Sequence, residues 1–211
     1  MRTLLVKAAS IRWSALLLLA TALLAKPVLG QNQELTFSLG NIPGQTRNFQ
    51  GSVSTAQISS DRSFGINYGH RFRDAKIAAL YGEIEFVAFP NRDVTSATAT
   101  VPWSYSSLYL APGLRLKLFP YSRLSPWGAI GGGYALYQQS AKLSNGQNET
   151  EKFLNRGVFD YGGGLDFRLF RFLGLRAEVR DFLSGNPGLN VALNSSTQHN
   201  VVASGGVVLR F

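Results

Sequence analysis

Few side chains here can make or break bonds. The chain has no cysteine and two histidines, His70 and His199. Thiolate chemistry is therefore excluded, and a nucleophilic site would need a hydroxyl activated by one of the two imidazoles. His199 has the better company: Ser195 and Ser196 lie just before it, and Asp181 ends the preceding regular segment. A Ser–His–acid set works only if nucleophile, base and orienting acid stand within hydrogen-bond reach. Ser195 and Ser196 sit in a flexible-looking Asn/Ser/Thr stretch, which weakens that reading. Each histidine otherwise reads as a polar residue at a strand end. Two separated histidines without cysteine make no metal set. Gly131-Gly132-Gly133 and Gly162-Gly163-Gly164 are not phosphate loops, because no Lys-Ser/Thr or helix start follows them. The expectation is no catalytic residue, no cofactor and no metal: the chain is not read as an enzyme.

The elements that would position these residues are strands. From Gln33 onward one theme recurs, segments of roughly ten residues alternating between two characters and then a turn or loop. Eight such segments are expected: Gln33–Ile42, Arg62–Phe72, Lys76–Phe89, Ser106–Phe119, Ser125–Gln139, Val158–Phe170, Leu173–Ser184 and His199–Phe211. No helical period is sustained, and the glycine strings oppose a helix. Short connections around Arg73-Asp74-Ala75, Pro120-Tyr121-Ser122-Arg123 and Arg171-Phe172 alternate with four long polar ones, Pro43–Asp61, Pro90–Tyr105, Ala141–Gly157 and Gly185–Gln198. Short turns on one side and long loops on the other are the pattern of an up-and-down membrane barrel.

Ahead of this array, Arg2, Lys7 and Arg12 precede the apolar run Ala15–Ala25, and small residues near Val28-Leu29-Gly30 offer a cleavage point. The run is shorter than the roughly 20 residues a spanning helix needs. Met1–Gly30 is therefore read as a signal peptide and 31–211 as one barrel domain. The formal charge of +9 shrinks when Arg2, Lys7, Arg12 and Lys26 are removed with it. What remains is scattered, so nucleic acid is not an expected partner.

Alternation assigns each residue to a face. Leu173, Leu175, Ala177 and Val179 oppose Arg176, Glu178 and Arg180; Leu114, Leu116 and Leu118 oppose Arg115 and Lys117; Ile84 and Phe86 oppose Glu83 and Glu85. Leu165, Phe167 and Leu169 oppose Asp166 and Arg168. A soluble ligand-binding barrel has the same alternation with the apolar face turned inward. Both charge signs on neighbouring strands favour the opposite arrangement, with a lumen ion-pair network of Glu83, Glu85, Arg115, Lys117, Asp166, Arg168, Arg176, Glu178 and Arg180. Aromatic residues at strand ends read as two interfacial girdles: Phe64, Phe89, Tyr105, Tyr137, Phe159 and Phe182 at the loop end, and Phe72, Phe119, Trp127, Phe172 and Phe211 at the turn end.

The final segment, VVASGGVVLRF, places Val207, Leu209 and Phe211 on one face with Arg210 opposite. It resembles the terminal signal that outer-membrane barrels present to their assembly machinery. The span from about Gln33 to Phe211 resembles the eight-stranded families that include the OmpA transmembrane domain and outer membrane protein X, porin-like barrels of Gram-negative cells. The likeness lies in pattern, not in an invariant motif. It implies an all-β, eight-stranded antiparallel up-and-down transmembrane β-barrel in the cell outer membrane. Implied partners are outer-membrane lipids and lipopolysaccharide, the assembly machinery during biogenesis, and a surface ligand held by the long loops, with the protein a monomer. No peptidoglycan-binding domain follows Phe211, so a wall-tethering role is not carried over. Similar barrels include lipid A deacylases, but their His-any-Ser spacing is missing at His70-Arg71-Phe72 and His199-Asn200-Val201. A structural or surface-interaction role with a plugged lumen is expected; a narrow passive pore and a lipid A-modifying enzyme are the alternatives.

Overall fold

The computed structural model describes residues 32–148 and 153–211. The segment read as a signal peptide lies outside the described residues, as does part of the 141–157 connection. Among the described residues every regular element is a strand. Eight form the main sheet: β1 (Gln33–Ile42), β2 (Asp61–Asp74), β3 (Ala78–Thr95), β4 (Ser104–Leu118), β5 (Leu124–Gln139), β6 (Phe153–Arg168), β7 (Leu173–Gly185) and β8 (Thr197–Arg210). Each pairs antiparallel with the next in sequence, and β8 returns to pair with β1, Glu34 opposite Arg210 and Leu39 opposite Gly205. The ring is closed, so no strand edge is left unpaired along it.

Alternation sorts the side chains of this ring as its sequence requires. Phe37, Leu39, Phe64, Ile66, Ile84, Leu110, Leu114, Leu116, Leu165, Phe167, Leu175, Val179 and Val207 point outward and are exposed. On the opposite parity Glu34, Thr36, Asn67, Glu83, Glu85, Arg115, Lys117, Asp160, Asp166, Arg176, Glu178 and Arg180 are buried. An apolar exterior around a charged interior is the inverse of a soluble barrel and suits a hydrocarbon surround. The inner glycines make room for that interior. A Cβ on Gly162 would sit 2.7 Å from Cγ of Arg180, and one on Gly164 would sit 2.7 Å from the ring of Trp127.

Strand ends depart from expectation on the loop side. β3 runs six residues past Phe89, and the Pro90 read as a loop start sits in a bulge where the register against β4 shifts between Phe89 and Arg92. A bulge accommodates proline because its missing N–H is not needed there. The extension is paired on its far side, Gln57 with Thr95 and Ile58 with Val94, by the short strand Thr55–Ile58. That strand itself pairs with Gln45–Asn48. β6 likewise begins at Phe153, five residues earlier than the alternation suggested, in register with β5. The long connections are therefore partly built structure that continues the barrel wall.

Candidate functional site

The interior is filled in three layers. Nearest the short turns, Glu34 on β1 is the hub. It accepts from Arg115 Nη2 at 2.9 Å, Lys117 Nζ at 2.6 Å, Arg176 Nη2 at 3.2 Å and Arg210 Nε at 3.2 Å. Asp166 on β6 is the second anion, contacted by Arg176 Nε at 2.7 Å, Lys117 Nζ at 2.6 Å and the indole N–H of Trp127 at 3.1 Å. Strand alternation carries these groups inward from β1, β4, β6, β7 and β8, so the pairs tie non-adjacent walls together across the lumen. Trp127 lies among the cations, with the guanidinium carbons of Arg176, Arg180 and Arg115 at 4.9, 5.3 and 5.5 Å from its ring. Such cation–π contacts gain strength in a desolvated setting.

The middle layer reverses the balance. Arg180 stands among four carboxylates: Glu83 at 2.5 Å, Asp160 at 2.6 Å, and Glu85 and Glu178 each at 3.6 Å. Asn67 donates to Glu85 at 2.6 Å and Ser204 to Glu178 at 2.8 Å. Arg115 links the two layers by reaching Glu83 at 3.1 Å as well as Glu34. A cavity of about 10 Å³ beside Ser38, Ser63, Glu85 and Glu178 is about the size of one water-sized probe. Breaking such buried pairs one-sidedly is costly, because the abandoned partner keeps its charge.

The loop-side layer is aromatic, with the neutral polar side chains of Gln198 and Asn200 buried beside the rings. Phe89, Tyr109 and Phe182 pack together, ring centroids 5.5 Å and 5.2 Å from Tyr109, and Tyr109 and Tyr137 join hydroxyls at 2.8 Å. Tyr137 also meets Ser184 at 2.6 Å. Above them Phe49, Ile58, Val94, Val101 and Leu189 are buried as a cap drawn from the connections. Arg92 pins this cap. Its guanidinium is buried and donates to Pro43 O at 3.1 Å and Ser59 O at 3.1 and 3.2 Å.

Several residues therefore stand elsewhere than alternation near strand ends suggested. Phe89, Tyr105, Tyr137, Phe182 and Trp127 are buried in the lumen and are not girdle residues. Each has the parity of the inward charges, and parity decides the face. Phe64 and Phe159 at the loop end and Phe72, Phe119 and Phe172 at the turn end are exposed. Among the described residues Arg168 has no carboxylate partner; it donates to Tyr121 O at 3.2 Å and to Pro120 O, holding the β4–β5 turn. Glu34, Asp160 and Arg210 belong to the buried cluster beside Glu83, Glu85, Arg115, Lys117, Asp166, Arg176, Glu178 and Arg180. Val207 and Leu209 lie on the outward parity of β8, opposite Phe37 and Leu35 of β1.

The hydrolytic arrangement is present only in part. His199 Nδ1 lies 2.6 Å from Asp181 Oδ2, which also accepts from Tyr161 at 2.7 Å. Asp181 and His199 thus come together on the outward face near the loop end. Ser195 turns away, its hydroxyl donating to Thr197 O at 3.0 Å within its own connection. Among the described residues no serine hydroxyl is hydrogen-bonded to the His199 ring, and acyl transfer requires an activated nucleophile.

No family model matches the chain, and no curated protein matches it. Solved structures do. Neisserial surface protein A superposes with a TM-score of 0.57 at 13% identity, covering 86% of this chain and 98% of that one. The outer membrane protein OprG from Pseudomonas aeruginosa gives 0.57 at 15% identity, covering 85% and 96%. At such identities the likeness is one of fold. The chain has the fold of the small eight-stranded outer-membrane β-barrels.

Proposed function

We propose that this chain is an integral outer-membrane protein with a sealed lumen and a structural or surface-interaction role, exported by a cleaved signal peptide at 1–30. One observation carries the reading: exposed apolar side chains surround a ring whose interior holds the ionised residues in mutual pairs. A conducting channel needs a continuous wet path, and an eight-stranded barrel has an interior that side chains can fill. Here charged layers occupy the turn-side half and aromatic rings the loop-side half, with the Arg92-pinned cap above. The loops are the surface on which a ligand would be met, since function concentrates on connections carried by a rigid scaffold. Trp103 and Val53 are exposed there. Lipopolysaccharide and outer-membrane phospholipid are the lipid partners of the exterior. Val207, Leu209 and Phe211 are the assembly signal, and the barrel acts as a monomer.

A lipid A-modifying activity is the second reading, favoured by the Asp181–His199 contact and opposed by the withdrawn Ser195. The test of the main reading is fractionation followed by gel migration. Protein in the outer-membrane fraction that shifts on boiling supports it, and protein soluble in the periplasm overturns it.

A further inference from the structure

The β6–β7 connection, Leu169-Phe170-Arg171-Phe172, has unsuitable residues for a turn in water. Solvated turns are made mainly of Gly, Pro, Asn, Asp and Ser. This one carries three large apolar side chains in four positions, and all three are about half exposed. The rings of Phe170 and Phe172 lie nearly parallel, 14° apart at 6.0 Å. The backbone beneath them is tight: Leu169 N and Phe170 N both donate to Leu173 O, at 3.1 and 2.9 Å. Arg168 fastens this turn to its neighbour, its N–H donating to Arg123 O at 2.7 Å and its guanidinium to Tyr121 O and Pro120 O.

Between the two turns runs an open groove of about 510 Å³, lined by Arg123, Arg168, Leu169, Phe170, Arg171 and Phe172. Three of the six lining residues are arginines, none is acidic, and the other three are apolar. Exposed Phe119 and Leu124 continue the apolar side towards the outward belt. The guanidinium fork matches phosphate oxygens in a bidentate way that ammonium groups do not. Aromatic side chains settle at the depth where headgroup meets acyl chain. The geometry points to a site for the headgroup phosphate of an anionic phospholipid, with Arg123 and Arg171 on the phosphate and Leu169, Phe170 and Phe172 along the glycerol and upper acyl chain. This rests on the reading of the chain as a membrane barrel whose short turns meet a phospholipid leaflet. A free soluble phosphate would use the arginines and leave the apolar half of the groove wet, so the lipid is the occupant that uses the whole surface.

The test uses the folded protein in phosphatidylcholine vesicles with spin-labelled phosphatidylglycerol or phosphatidylcholine as probe. Wild type is expected to hold phosphatidylglycerol preferentially. Arg123→Gln/Arg171→Gln should lower that preference by up to roughly 30-fold, about fivefold for each surface arginine. Arg62→Gln, at the loop end, should leave it unchanged. Equal association of the two probes with wild type overturns the site, as does a preference that survives the double substitution or falls equally with Arg62→Gln. Heat-modifiable migration reads insertion separately. Failure to insert counts against the barrel, whereas an inserted barrel without lipid preference counts against the groove alone.

Discussion

Replacing Arg180 by methionine should be the most damaging single change in the lumen. Among the described residues Arg180 is the one cation that forms ion pairs with Asp160 and Glu178, and it also contacts Glu83 and Glu85. Methionine keeps much of the volume and removes the charge, leaving buried carboxylates facing one another. One-sided loss of a buried pair costs about 3–5 kcal/mol, so the unfolded fraction should rise by roughly two to nearly four orders of magnitude. A urea titration in lipid vesicles, followed by tryptophan emission and gel migration, reads this directly. Adding Glu85→Gln and Asp160→Asn should return part of the loss, because Glu83 keeps Arg115 at 3.1 Å while Glu178 retains only the Ser204 hydroxyl at 2.8 Å. The reasoning fails if Arg180→Met costs less than about 1 kcal/mol, the range of solvated surface pairs. It fails equally if the triple variant is no more stable than the single one.

Four further outcomes follow from the same geometry. Gly162→Ala should destabilise the barrel by about 1–3 kcal/mol, since the new methyl meets Val179 O at 2.5 Å and Arg180 Cγ at 2.7 Å. Gly157→Ala, with nothing within 4 Å, should leave the urea midpoint nearly unchanged. Arg92→Ala should free the 43–60 connection, because the carbonyls of Pro43 and Ser59 lose their shared donor. Limited proteolysis would then cut in that segment while heat-modifiable migration persists; uncut loops would contradict the pinning role. His199→Ala should leave the lipid A mass spectrum of expressing cells identical to wild type, and a modification that wild type makes and the variant does not would establish the enzyme reading instead.

The strand array was legible because a period of two is imposed by the backbone and both faces are chemically distinct. Arg176, Glu178 and Arg180 on β7 announce their face, as do Arg115 and Lys117 on β4. Glu34 was harder to read: it is the only charge on a short strand whose next inward residues are Thr36 and Ser38, so nothing local marks it as the hub of four cations. Aromatic residues misled for a different reason. A tyrosine near a strand end fits both a membrane interface and a lumen. Tyr105 and Tyr137 follow the parity of Arg115 and Trp127, and only the register across β4 and β5 brings them together. The cap was invisible because Phe49, Val101 and Leu189 are isolated apolar residues in polar connections. Some of their partners are far away in sequence, as in the bridge between Phe49 and Leu193.

Single-channel recording of the purified, heat-modifiable protein in planar lipid bilayers tests the sealed lumen most directly. Paired charges below and a closed aromatic layer with its cap above predict a flat baseline with no discrete conductance steps. Steady, reproducible openings from the wild-type barrel would contradict it and make the chain a narrow pore.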